Sequence, residues 1–301
     1  MAAPVGRNPV QVEPERADIL PMCVVSFSPE RVLAIADTFP ATRQILLQLG
    51  SLLRDPSVGL ERIVVPLKRD PSLTARLVRI ANSAAYAQSE PVASVEDAAS
   101  LIGFREVHRL VGSALLDQFS DAGLVNYGVT SQRLRENSLF TAILMEELAV
   151  GAKEDPGYCY TVGLLRSIGK VSLDRLARGL PVGEIPVLDE ETRVADWENR
   201  VFGISGNEAA VHILKAWRFP YELVAAISGH YAPDEFDPPM THLLHLAAGM
   251  ADLLGHGLPG ESGYWQDTEN VFRKAGLERK AANRIIDHAL STFDRLKQAA
   301  F

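Results

Sequence analysis

Arg69-Asp70-Pro71-Ser72-Leu73-Thr74 opens the stretch that decides the fold, which continues through Ile80-Ala81-Asn82-Ser83-Ala84-Ala85-Tyr86 and Pro91-Val92-Ala93-Ser94-Val95-Glu96-Asp97-Ala98 to Leu101-Ile102-Gly103-Phe104. An Asp-Pro pair is a helix start. The carboxylate accepts from the free amides of the first turn, and proline at the first helical position gives up an N–H that would have no partner there. Leu73, Leu77, Ile80 and Ala84 then fall on one stripe at helical spacing, so this face must meet a core. Ser94 to Asp97 has the form of a capping box leading a segment with Ile102, Leu110, Val111 and Leu115, which Gly103 divides into two helices. Asn82 and Ser83 read as the close of the first helix and the tie for the loop before Pro91, with a polar binding spot as the alternative.

The same reading extends outward in both directions. Residues 1–27, proline-rich and without periodicity, predict a flexible N-terminal arm. Ser28-Pro29 is a second cap-plus-proline start, with a helix to Thr38, and Ile45, Leu46, Leu49, Leu52 and Leu53 give another that stops at Asp55-Pro56. Pro66 predicts a kink in a short helix. Between Ser120 and Thr130 the helical pattern lapses around Gly123, Asn126 and Gly128, which predicts a cleavable lobe boundary. The expected lobes are 28–125 and 126–301. Beyond the boundary, helices are expected around Phe140–Leu148, Tyr160–Leu176, Ala209–Trp217, Glu222–Ser228, Thr241–Leu254 and Ala281–Leu296. No segment alternates with period two, so the fold class is all-α, in two lobes.

Bulk properties narrow the function. A hydrophobic fraction of 47% supports a large core, and a net charge of -8 with scattered Lys and Arg offers no positive field for a phosphate backbone, so nucleic acid is not an expected partner. Cys23 and Cys159 are too far apart for a thiolate metal motif, and no secretory segment is visible, which predicts a cytoplasmic protein. The apolar run Leu243–Leu254 is interrupted by His245 and Asp252 and falls short of a membrane span. Tyr86, Trp197, Trp217 and Trp265 are expected to fill gaps between helices.

The stretches quoted above, with Phe39-Pro40-Ala41, Val162-Gly163-Leu164-Leu165, Ile168-Gly169-Lys170, Phe202-Gly203, Trp217-Arg218-Phe219-Pro220 and Ala226-Ile227-Ser228-Gly229-His230, resemble the HDOD domain family, relatives of the HD-type metal phosphohydrolases, over about Ser28 to Leu254. The resemblance implies a helical fold with a degenerate phosphohydrolase lobe and a role in bacterial signalling, often beside cyclic-dinucleotide, chemotaxis or two-component systems. No receiver, kinase or GGDEF-like segment is visible, which makes a stand-alone adaptor for an unidentified signalling protein the expectation.

An active HD-type site gathers imidazoles and carboxylates on a divalent metal. By the resemblance, this chain carries Arg166-Ser167 where the His-Asp pair belongs, Asn137 and Gly206 at two histidine positions, and Ala248 near a later acidic one; of a histidine pair beside Tyr231, His230 remains. No metal, cofactor or catalysis is therefore expected. His230 reads either as a surviving ligand or as a histidine bonded to backbone. Arg166 reads either as the fork for a small anionic ligand in the vestigial pocket or as half of an ion pair. His242 and His245 share a helical face without a further ligand cluster, and Gly169-Lys170 lacks the glycine-rich lead of a phosphate loop. The competing function is a metal-dependent phosphohydrolase for nucleotides or cyclic dinucleotides, with a rearranged site using His230, Asp234 or Asp252.

Overall fold

Pro71 does begin a helix in the computed structural model of the chain, and the stripe it predicts is buried: Leu73, Leu77 and Ile80 all face inward. The structure describes residues 25–39, 64–65, 67–68, 71–83, 86, 91–180, 185–189, 191–236 and 238–300. The expected helix at Ile45–Leu53, the kink at Pro66, the cap at Asp70, the position of Ala84 and the arm before residue 25 lie outside them.

Numbered over the described residues, the helices of the first half are α1 (Pro29–Ala36), α2 (Pro71–Ala81), α3 (Val95–Ile102) and α4 (Phe104–Phe119). Ser94 Oγ accepts from Asp97 N–H at 3.0 Å to start α3. Gly103, at φ +80°, ends α3 and begins α4, a backbone conformation that favours glycine. Asn82 clamps the returning loop by both faces of its amide, accepting from Val92 N–H and donating to Val92 O, each at 2.7 Å. Ser28 is extended before Pro29, but its side chain makes no cap bond, and the helix ends at Ala36 rather than Thr38.

The second half is built around α5 (Ser131–Ala152) and α6 (Pro156–Leu165), an antiparallel hairpin with Thr130 and Asp155 as N-caps. Then come α7 (Ile168–Ala177), α8 (Val194–Phe202), α9 (Gly206–Ala216), α10 (Tyr221–Gly229), α11 (Pro239–Ala251), α12 (Glu269–Lys274) and α13 (Ala282–Ala300). α11 and α13 pack on α5, and α7 packs on α9. The described residues contain no strand, only an isolated bridge between Leu124 and Val129.

Three expectations are corrected. The single helix Tyr160–Leu176 is two, because Ser167, at φ −93° and ψ 9°, leaves helical geometry and turns the chain between α6 and α7. The arm assigned to residues 1–27 ends in seated chain: Val25 and Phe27 donate to Val201 O and Phe202 O, and the Phe27 ring stacks on Phe202 at 5.5 Å. Finally, the link between the expected lobes is not the loose segment its glycines predict. α1 packs on α7 and α9, and the boundary 120–130 is packed rather than soft, with Leu124, Tyr127 and Val129 buried and Asn126 N–H donating to Asp174 Oδ1 at 2.8 Å. Apolar side chains between the glycines fix that link by tertiary burial, which helical periodicity does not register.

Candidate functional site

The turn between α6 and α7 points Arg166 into the protein, and Lys170 follows four residues later on the same face of α7. Both are buried, and both end on one carboxylate: Arg166 Nη1 donates to Glu261 Oε2 at 2.9 Å, and Lys170 Nζ pairs with Glu261 Oε1 at 2.9 Å. Tyr231 Oη, just past α10, accepts a hydrogen bond from Lys170 Nζ at 2.6 Å and donates to Glu261 Oε1 at 2.7 Å. Burial alone would push the Glu261 carboxyl up. The two cations reverse this and hold it at about 2. Burial likewise opposes the Arg166 guanidinium charge, and Glu261 outweighs it, raising Arg166 above its ordinary range.

Asn137 and His256 position the rest. Arg166 Nη2 donates to Asn137 Oδ1 at 2.6 Å, and Asn137 Nδ2 donates to His256 O at 2.7 Å. One turn earlier on α5, Arg133 Nε donates to Gly257 O at 2.8 Å. Val194 N–H donates to Gly260 O at 2.9 Å, so the loop that carries Glu261 is pinned from α5 and from the start of α8.

Gly206 enters through its backbone. Its N–H, in the first turn of α9, donates to Glu198 Oε2 at 2.6 Å, and Tyr127 Oη donates to Glu198 Oε1 at 2.9 Å. Burial raises the Glu198 carboxyl despite the nearby Lys170 charge. A side chain is excluded here by contact: a Cβ on Gly206 would lie 2.8 Å from Glu198 Oε1, and one on Gly169 would lie 1.8 Å from Gly206 O. α7 and α9 cross with backbone against backbone.

His230 is fully buried. Its Nδ1–H donates to Ile227 O at 2.9 Å, and its Nε2 has no partner. Burial first, then Arg166 and Lys170, hold the imidazole well below its ordinary range, so it is neutral. Its ring lies 4.2 Å from Tyr231, which stacks on Tyr264 at 4.1 Å. Ser167 Oγ is buried without a partner.

Asn137, Arg166, Gly206 and His230 thus adjoin one polar centre, to which Ser167 Oγ makes no bond; the rest of the centre is built by residues outside the sequence expectation, Glu261, Lys170, Tyr231, Glu198 and Tyr127. Two buried cations four apart were a signal that buried acids must exist; which acids they were was not written in any spacing. The other acids considered lie elsewhere. Asp234 is exposed and paired with Lys274 at 2.6 Å, and Asp252 accepts from Ser262 Oγ at 3.2 Å. His242 approaches Asp234, whereas His245 donates from Nδ1 to His230 O and accepts from Gln266 N–H, so the two do not converge.

The donor set does not fit the divalent metal that the phosphohydrolase relatives imply. Arg166 and Lys170 place two positive charges beside the one retained imidazole, and among the described residues no group of three or more His, Cys, Asp or Glu is arranged to hold an ion.

The HDOD domain family profile matches residues 39–233, and the chain belongs to that family. Among solved structures, it is similar to an HDOD domain protein of unknown function from Geobacter sulfurreducens (21% identity, 88% of this chain and 97% of that one, TM-score 0.65). It is also similar to a candidate signal-transduction protein from Marinobacter aquaeolei VT8 (20% identity, 90% and 64%, TM-score 0.60) and to a candidate phosphohydrolase from Shewanella amazonensis SB2B (18% identity, 87% and 93%, TM-score 0.55). At these identities the likeness is one of fold. No curated protein matches. Among the described residues no helix is long and apolar enough to cross a membrane.

Proposed function

We propose that this chain is a non-catalytic HDOD regulator that acts in bacterial signalling by binding another protein. The observation that carries this reading is the Arg166–Glu261–Lys170 bridge at the centre of the second half. In an active relative that space would hold metal ligands around an open coordination position. Here it holds two cations bridged by one carboxylate, which ties α5, α7 and the 256–261 loop together, an arrangement that serves shape. The same bridge bears on the small-anion reading: both outer nitrogens of Arg166 are engaged, so an anion in that pocket must displace Glu261 or Asn137.

The test measures metal content and turnover together. Purified full-length protein incubated with manganese is expected to bind no stoichiometric metal and to leave bis-p-nitrophenyl phosphate and cyclic di-GMP intact. His230→Ala is expected to change neither result. Hydrolysis that is abolished by His230→Ala would overturn the reading in favour of a rearranged phosphohydrolase. The adaptor role itself predicts that tagged protein from its native cells retains one signalling protein in fixed proportion, and that the His230→Ala variant retains it equally.

A further inference from the structure

A cavity of about 300 Å³ opens beside α11. Its walls come from α11, from the 262–267 segment, and from α12 and the start of α13. Leu246, Met250, Leu253, Trp265, Phe272 and Ile286 make it mainly apolar, and Leu253 is 78% exposed at its mouth. Gly249 lies beneath the indole: a Cβ there would come within 3.2 Å of Trp265 Cβ. The volume is at the lower end of the range for small-molecule sites, and the composition, an apolar body with few polar groups, is of the same kind.

The polar groups have a sign. Asp252 and Asp267 are the acids in the wall. Asp267 is neutralised by Arg279, at 2.8 and 3.2 Å. Asp252, half-buried, accepts from Ser262 Oγ and forms no ion pair among the described residues. The adjoining His245 cannot compensate it, since both ring nitrogens are committed and burial disfavours its charge. Arg166 and Arg133 act on Asp252 from beyond ion-pair distance, Arg166 being paired with Glu261 and Arg133 bonded to Gly257 O. An apolar cleft therefore carries one carboxylate without a direct ion-pair partner among the described residues, in a wall shared with an indole, whose ring attracts cations, in a protein of net charge -8 that favours cation approach.

From this arrangement we infer that the cleft binds a small organic amine: a protonated ammonium on Asp252, and a compact apolar body against Trp265, Phe272 and Ile286. Trp265 also links the cleft to the centre of the protein, with its ring 5.7 Å from Tyr231 and 6.1 Å from His230. Occupancy is thereby sensed by the aromatic group that adjoins the Glu261 bridge.

Calorimetry on the full chain with phenethylamine tests this, with 2-phenylethanol as the neutral probe of the same shape. Phenethylamine is expected to bind in the micromolar to millimolar range and 2-phenylethanol at least about tenfold more weakly, the factor that losing one charge-assisted hydrogen bond produces. Asp252→Asn should remove that preference, and Ile286→Phe, which narrows the cleft, should weaken both probes. Tryptophan fluorescence should change on binding in the wild type and not in Trp265→Phe. The inference is overturned if phenethylamine shows no binding at millimolar concentration, if the alcohol binds as well as the amine, or if Asp252→Asn, folded by circular dichroism, keeps the preference. None of these outcomes touches the metal and turnover test.

Discussion

Replacing Glu261 by Gln isolates what the central bridge contributes. The carboxylate is fully buried, bonded at 2.9 Å to Arg166, at 2.9 Å to Lys170 and at 2.7 Å to Tyr231. Gln keeps the volume but carries no charge, and it sets an amide N–H₂ against one of the two cations. Removing one partner of a buried pair costs about 3 to 5 kcal/mol. A second route gives a similar figure. A carboxyl held at about 2 against an ordinary 4.5 differs by about two and a half pH units, which corresponds to about 3 kcal/mol of stability at neutral pH. Because the folded value is the lower one, this stability is fully present above about pH 4.5 and is lost as pH falls towards 2. Thermal unfolding followed by circular dichroism should show Glu261→Gln melting about 5 to 8 °C below wild type at pH 7. The free-energy gap should fall to about half by pH 3. The double variant Arg166→Met, Glu261→Leu, which keeps Lys170 beside Glu198, should recover part of the loss, since it removes the Arg166–Glu261 pair as a unit. A gap under about 0.5 kcal/mol at pH 7, or one of constant size from pH 7 to 3, would refute the account of the bridge.

The remaining predictions concern packing and protonation. Gly169→Ala should destabilise by at least about 1 to 3 kcal/mol in urea unfolding, because its Cβ would lie 1.8 Å from Gly206 O and α7 must part from α9; an unchanged midpoint would contradict the crossing. Ile80→Asp, at a position 2% exposed, should cost several kcal/mol and remove cooperative melting. His230 should remain a neutral Nδ1–H tautomer in ring-nitrogen NMR from pH 8 to about 5, since burial and two cations oppose its protonation. The unfolded chain then takes up that proton below about pH 6.5, so His230 makes the fold less stable as pH falls through that range. A His230 ring titrating near its ordinary value would place it in solvent and contradict its site.

How far the sequence was legible follows from which forces write a local pattern. Pro71, Ser94-Val95-Glu96-Asp97 and Gly103 act within a few residues of themselves, so the starts of α2, α3 and α4 could be read directly. The inward stripe of Leu73, Leu77 and Ile80 is equally local, being one face of one helix. The break at Arg166-Ser167 was missed because apolar spacing runs across it on both sides; Ser167 leaves the helix so that Arg166 can reach an acid 95 residues away. The link at 120–130 was misread for the same reason. Asn126 and Tyr127 are held by Asp174 and Glu198, partners 48 and 71 residues on, and glycines that mark a loose tether in isolation mark a tight turn once those partners are present. At the centre, the family resemblance points to Asn137, Arg166, Gly206 and His230, but not to Glu261, the acid that pairs with Arg166 and Lys170. Glu261 follows Gly257-Leu258-Pro259-Gly260, a loop without periodicity. Its role exists only because Arg133 and Asn137 on α5 hold the carbonyls of Gly257 and His256 in place. A buried cation announces that an anion must be near it, since the cost of leaving it unpaired is prohibitive. The chain order of that anion is unconstrained, which is why the charge balance of a core is legible in sequence as a requirement and becomes legible as a residue only in the fold.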